Sequence, residues 1–343
     1  IWQELLGVEK VGRHDSFFDL GGHSLLAMKL IKRMKGLGMT LSVLELFKHQ
    51  TIASHASIIL GGVARESCVE GIVRLKSSSE KNINLFMVHH VSGNALTYLN
   101  MSKRFGKNVS VFGLHVLDYD EDDEVFLSLE RIACAHVDSI QKVQPSGPYC
   151  LAGWSAGGIL ALEIAWQLLQ QGMDIKFVGL IDTYSPIVLN SNTMGSGQEK
   201  SVFIRNVLKE NPGINDRLLK MIESAKNGAE MINLCVENGL LLDGIKMSDR
   251  FGRIYKKIYN IVLSYKPKWV KNVCLFSSSE GGSVDRYGWQ GVFDKFFNIK
   301  FIGGDHWNAM ESPQADRLVR GIEDEILGHK SVRGSVRNSV CGA

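Results

Sequence analysis

The sequence predicts two folded parts in tandem, a small all-α helical bundle followed by an α/β domain with a mostly parallel sheet and a helical insertion. Three observations predict it. Apolar residues recur at helical spacing through the first sixty residues. From residue 72 the texture changes to short β-branched runs that alternate with amphipathic stretches, the pattern of a parallel sheet covered on both faces. Residues 187–265 hold several helical stretches, such as FIRNVLKE and DRFGRIYKKIYNIVLSY, but no good strand. An all-helical insertion in an α/β domain of this kind is commonly a lid or a binding element.

In the bundle, IWQELLG forms a first, short helix that ends at Gly7. After the loop VEKVGRHDSFFDLGGH a second helix opens at Ser24, with Leu25, Met28, Ile31 and Leu26, Leu30, Met34 at helical spacing, and Gly36 and Gly38 stop it. Ser42 and Glu45 in SVLE make a capping box. TIASHASIIL closes the region before Gly61-Gly62. The expected core is Leu5, Phe17, Phe18, Leu26, Leu30, Leu46, Phe47, Ile52 and Ile58. Residues 61–71, GGVARESCVEG, are a linker that spans at most about 35 Å.

In the α/β part the strand candidates are 83–90, 108–116, 147–154, 174–182, 272–279 and 298–304, with IVRL at 72–75 as an edge strand. Helices are expected at about 95–105, 124–143, 156–171 and 312–327. The tail after residue 328, HKSVRGSVRNSVCGA, fits no element and is expected to be disordered.

Composition excludes several classes. Lys and Arg number 39 against 36 Asp and Glu, a net charge of +3, too little for a polybasic nucleic-acid surface. The acidic run DYDEDDE at 118–124 reads as a solvated loop and helix start. No apolar run is long enough to cross a membrane. Six cysteines without a CxxC pair or a regular framework fit reduced thiols of a cytoplasmic protein, with no metal site. The chain opens at Ile1 without an initiator Met and reads as a piece of something longer.

Two serines carry the chemistry. Ser24 lies at or near a helix N-terminus, where free N–H groups and the dipole favour an anion, though a serine there can also be a simple cap. Ser155 stands in GWSAGG, between the strand PYCLA and the helix ILALEIAWQLL, a nucleophile elbow. A nucleophilic serine needs a base and an orienting carboxylate, here in the order serine, acid, histidine. Asp182 ends the next strand and His306 sits in GGDHWNAM after the last, so all three fall at the C-terminal edge of the sheet. Glu280 and Asp285 are the alternative acids, and Asp305 is expected to point away. Two backbone N–H groups should receive the oxyanion, from Ala156 after the nucleophile and from Val91 in the loop HHVSGN.

On the motif FFDLGGHSL, residues 1–60 resemble a peptidyl carrier domain of a nonribosomal peptide synthetase; His23 stands where fatty-acid and polyketide carriers more often have Asp. Residues 72–328 resemble a type I thioesterase domain of such synthetases, an α/β-hydrolase fold with a lid at about 187–265, on the GWSAGG elbow, the Asp182 strand end, the GGDHWNAM loop and the helical insertion. Many members have His-Pro at the oxyanion loop, where this chain has His89-His90.

The resemblance implies that Ser24 bears a covalent 4′-phosphopantetheine arm, installed by a separate phosphopantetheinyl transferase, and that upstream condensation and adenylation domains load it. It implies that the arm delivers an acyl thioester to Ser155, activated by His306 and Asp182, for release by hydrolysis or cyclisation. The alternatives are an editing or silent thioesterase with a carrier role, or a lipase-like hydrolase fused to an unrelated helical domain.

Overall fold

The computed structural model describes residues 1–328 apart from 18, 23, 42–44, 47–48, 62–68, 79, 81–82, 117–118, 121, 191–197, 227, 243–244, 248–249, 279–286, 294–297 and 307. The capping box at 42–45, Phe18, Phe47, most of the linker, the two alternative acids and the tail at 329–343 therefore lie wholly or partly outside the described residues.

The N-terminal part contains helices α1 (Trp2–Leu6), α2 (Ser24–Gly36) and α3 (Ile52–Ile59). Thr51 caps α3 in a reciprocal box with Ser54, which satisfies donors that the helix itself leaves open. Phe17, Leu30, Leu46 and Ile58 are buried as expected, while Leu5, Leu26 and Ile52 pack at the margin. Trp2, Ala27, Met34 and Leu41 complete the core, and Trp2 meets Phe17 edge-on at 5.0 Å between centroids. The short first helix is thus anchored by one large aromatic.

The second part is built on strands β1 (Ile72–Lys76), β2 (Ile83–Val88), β3 (Val109–Leu114), β4 (Tyr149–Trp154), β5 (Ile175–Ile181), β8 (Val273–Ser277) and β9 (Asn298–Phe301), in the order β1-β3-β2-β4-β5-β8-β9. Every neighbouring pair is parallel except the edge pair β1–β3. Helices α4 (Leu99–Ser102), α5 (Leu129–Val143) and α6 (Ala156–Gln170) connect the strands, and α12 (Gln314–Leu327) follows the last of them. The helix expected over 124–143 is divided at Ser128, whose extended backbone and side-chain bond to the Arg131 N–H cap α5 after a short 3₁₀ turn.

Alternate residues of the strands feed two cores. Phe86, Phe112, Leu151 and Val178 face α5 and α6, whereas Leu85, Val111, Phe177 and Phe276 face α4 and α12. The insertion comprises α7 (Pro186–Asn190), α8 (Gln198–Glu210), α9 (Asp216–Ser224), α10 (Gly228–Glu237) and α11 (Arg250–Ser264). It also holds a two-residue antiparallel ladder, β6 (Leu241–Leu242) with β7 (Ile245–Lys246), so the strand-free expectation for 187–265 is corrected. Pairs this short leave no sequence period to read. Val207, Ile222, Ile254 and Ile258 join the α5–α6 core, so the insertion is an extension of that core.

Where the insertion returns to the sheet, Glu163 of α6 is buried and accepts hydrogen bonds from the Tyr265 hydroxyl (2.6 Å), Lys268 Nζ (3.0 Å) and Gln167 Nε2 (2.9 Å). A buried carboxylate needs such partners. In the acidic run, Asp120 pairs with Lys32 of α2 at 3.2 Å and Asp122 with Lys257 of α11 at 3.4 Å, both in solvent, where such pairs add little stability.

Glu163→Ala leaves Lys268 and Tyr265 without their acceptor. Lys268 is 35% exposed and can reach water, so the expected loss is about 3 kcal/mol, near the low end for a broken buried pair. Thermal denaturation should show a Tm lower by roughly 6–12 °C; an unchanged Tm would show that the network does not hold the insertion in place.

Candidate active site

The order of the sheet reverses between β2 and β4, and at such a switch point the loops leaving the two strands part and open a crevice at the carboxyl edge. The loop after β2 carries Val91 and the turn after β4 carries Ser155. The paired register of β2 with β4 ends at Val88 opposite Gly153. Beyond it the Tyr98 hydroxyl donates to the Val88 carbonyl (2.7 Å) and accepts from the Trp154 N–H (2.9 Å). One hydroxyl thus serves as an extra rung where the strands separate. Tyr98 has no exposed surface, and burial pushes its phenol well above the usual range.

Ser155 has φ 54 and ψ −124, a conformation that side-chain-bearing residues rarely adopt. Its N–H donates to the Ile181 carbonyl at 2.9 Å, which ties the turn to β5. The glycines around it are required by close approach. A Cβ at Gly153 would overlap the Gly157 carbonyl, one at Gly157 the Val88 carbonyl, and one at Gly158 the Thr183 side chain. The start of α6 therefore lies directly against the ends of β2 and β5.

Ala156 is the first residue of α6, where an N–H has no partner within the helix. Val91 sits at the corner of a turn closed by the Gly93 N–H on the His90 carbonyl (3.0 Å). Among the described residues neither N–H donates a hydrogen bond to the protein. Both expected oxyanion donors are thus spare, one on each side of the crevice.

Asp182 also has a positive φ, 44°, and no exposed surface. Its Oδ2 meets His306 Nδ1 at 2.7 Å. Its Oδ1 accepts from the Ser278 N–H (3.0 Å), the Ser278 hydroxyl (2.6 Å) and the Tyr287 hydroxyl (2.5 Å). Burial alone would push this carboxyl up; the bonds from His306, Ser278 and Tyr287 outweigh it and hold the group at about 2. An ionised carboxylate only accepts, so His306 Nδ1 carries a proton, and in the neutral ring that leaves the lone pair on Nε2. That is the tautomer a general base requires.

His306 is fixed from the elbow side. Trp154 Nε1–H donates to the His306 carbonyl (3.1 Å), and the two rings lie 5.1 Å apart. No hydrogen bond joins His306 to Ser155 among the described residues; the two come to the same strand end through Trp154, which adjoins Ser155 in the chain. Asp305 accepts from the Asn308 N–H at 3.1 Å within its own loop. His90 is buried, with Nε2 2.9 Å from the Ser92 hydroxyl and its ring 4.8 Å from Trp154.

Ser24 is itself the first helical residue of α2. The helix has 13 residues, long enough for its first-turn N–H groups to favour a phosphodiester at that end. A Cβ at Gly22 would overlap Phe17, which brings the loop in tightly before the helix starts. This end of α2 suits a phosphopantetheine group.

Tyr98, Ser278, Tyr287 and Trp154 were not legible as site residues. The one available signal was position, since Ser278 follows β8 and Trp154 precedes the elbow serine.

Residues 1–59 match the phosphopantetheine attachment site family and residues 83–235 the thioesterase domain family. Malpinin synthetase of Mortierella alpina is 36% identical over 185 residues, which is 53% of this chain and 2% of that protein. A dimodular nonribosomal peptide synthase of Bacillus subtilis is 35% identical over 185 residues, 54% of this chain and 8% of that protein. The chain therefore spans less than a tenth of either relative. A solved four-domain nonribosomal peptide synthetase, bound to AMP and glycine, shares the fold with a TM-score of 0.58 at 23% identity, over 94% of this chain and 25% of that one.

The buried histidines set an acid limit. Burial, then neighbouring histidines, hold His90 at about 3 and His136 well below the usual range; His89 is held at about 4 chiefly by burial. The unfolded chain binds protons below about pH 6.5 that the folded chain refuses, so stability falls as pH drops from there toward 4. Each histidine contributes a slope of up to about 1.4 kcal/mol per pH unit. The Asp182 contribution is present above about pH 4 and is lost only between there and about 2. Tm should thus decline progressively below pH 6.5, and a flat Tm from pH 7 to 5 would contradict the neutral histidines.

The chain thus matches the phosphopantetheine attachment site family in its N-terminal part and the thioesterase domain family in its C-terminal part, a carrier followed by a thioesterase.

Proposed function

We propose that this chain is the offloading unit of a nonribosomal peptide synthetase, in which residues 1–60 carry an acyl or peptidyl thioester and residues 72–328 release it. The observation that carries the reading is the hydrogen bond from His306 Nδ1 to an ionised, buried Asp182, beside a strained serine elbow with two spare N–H groups. Ser24 is the attachment point, and the arm, when present, supplies the thiol that holds the acyl group. Residues 61–71 are the linker, and the insertion at 187–265 is the lid.

Ser155, Asp182 and His306 act as the catalytic triad. His306 Nε2 takes the proton from the Ser155 hydroxyl as Oγ attacks the thioester carbonyl. Asp182 stabilises the imidazolium that forms. The Val91 and Ala156 N–H groups receive the negative charge on the carbonyl oxygen. His306 then returns the proton to the departing sulfur, leaving the acyl group on Ser155. A water, or a hydroxyl or amine of the substrate, attacks in turn and frees Ser155. Tethering makes the first transfer intramolecular, so effective concentration governs it.

The partners proposed are condensation and adenylation domains of the same synthetase and a phosphopantetheinyl transferase. A cytoplasmic setting fits the described cysteines, Cys134, Cys150, Cys235 and Cys274, all of them free thiols. No described helix is long and apolar enough to cross a membrane.

Two measurements test the reading. A transferase with coenzyme A should add one phosphopantetheinyl mass to the wild type and none to Ser24→Ala. Ser155→Ala should lower hydrolysis of a small acyl thioester by about 10³–10⁶-fold. Turnover within a few-fold of wild type would remove Ser155 from the mechanism.

A further inference from the structure

Tyr287 belongs to no part of the triad, yet it touches the acid directly. It has no exposed surface, and its hydroxyl reaches Asp182 Oδ1 at 2.5 Å and Ser277 Oγ at 3.0 Å. Because the carboxylate accepts, the phenol donates to it and accepts from Ser277. The chain on either side is fixed to the run that leads out of β5. The Tyr287 carbonyl accepts from the Ser185 N–H (2.8 Å), and Trp289 Nε1–H donates to the Thr183 carbonyl (2.7 Å). The Tyr287 ring stacks on Tyr184 at 4.6 Å and 25°. Gly288 fits so closely against Ser185 and Val188 that a Cβ there would overlap both. Residues 287–289 thus clasp Asp182 and the start of the insertion together.

This geometry has a chemical consequence. A carboxylate whose Oδ1 holds three donors cannot turn, so Oδ2 alone faces His306. The donors also spread the charge of a group that no water reaches while the imidazole beside it is neutral. We propose that Tyr287 is a positioning residue of the hydrolase site, acting through Asp182 to hold His306 in its base-competent orientation. The proposal rests on the triad reading above. It also makes the acid sensitive to the start of the insertion, since α7 and Asp182 are held by the same three residues.

The test uses the full chain and the rate at which an alkyl fluorophosphonate labels Ser155, followed by intact mass, in a double-mutant cycle. Tyr287→Phe keeps the ring and its stacking and removes only the donor. It should slow labelling about ten- to thirtyfold, the factor expected for one hydrogen bond to a charged group, and lower kcat for a small thioester with little change in KM. In the Asp182→Asn background the same change should cost no more than about threefold, because the charge it serves is gone.

If Asp182→Asn cripples labelling but Tyr287→Phe stays within twofold of wild type, or costs the same factor in both backgrounds, the proposal falls and the triad stands. If Asp182→Asn labels at the wild-type rate, the triad reading falls and the proposal with it. Should Tyr287→Phe not fold, Ser277→Ala leaves the phenol in place but removes the donor behind it. A two- to fivefold slowing then supports the proposal, and an unchanged rate overturns it.

Discussion

A negative charge with no exposed surface is the constraint around which the site is organised. Asp182 must either be neutralised by a proton or be surrounded by donors, and the chain does the latter from three directions. The end of β8 brings Ser278, the segment after it brings Tyr287, and the loop after β9 brings His306. Each of these depends on a parallel sheet that delivers successive strand ends to one edge. The tautomer of His306, and so its capacity to act as a base, follows from the ionisation of Asp182.

A second, steric constraint acts at the elbow. The N-terminus of α6 lies so close to β2 and β5 that only glycine fits at 153, 157 and 158. This proximity brings the Ala156 N–H and the Val91 N–H to either side of one crevice. The Tyr98 hydroxyl bridges the gap that the diverging strands leave, and it satisfies the buried Val88 carbonyl and Trp154 N–H. The proposed oxyanion donors are therefore backbone groups fixed by close packing, a role that makes no chemical demand on the side chain at position 91.

These two constraints explain what the sequence revealed and what it hid. Strands such as INLFMV and IKFVGLI are apolar but for one polar residue near the start, runs that only a doubly covered sheet can bury, and all seven sheet strands were legible. Ser155, Asp182 and His306 stood out as candidates because residue type, chain order and strand ends all agree. Tyr98 and Tyr287 were hidden because their roles arise from hydroxyls that reach across the fold, and a tyrosine in an apolar run reads as core. Ser128 interrupts a continuous amphipathic pattern, and the β6–β7 pair is too short to have a period. The buried pair of Glu163 with Lys268, 105 residues apart, left no local trace.

The central claim is that the carrier and the hydrolase act as one unit, with Ser24 supplying what Ser155 accepts. Its most direct test is a chase by intact-protein mass, after the wild type and Ser155→Ala are loaded on Ser24 with a short acyl-phosphopantetheine. The account predicts that the wild type loses the acyl group, through a species acylated on Ser155, while Ser155→Ala retains it on the arm. Equal loss from both proteins would contradict the account, since release would then proceed without Ser155.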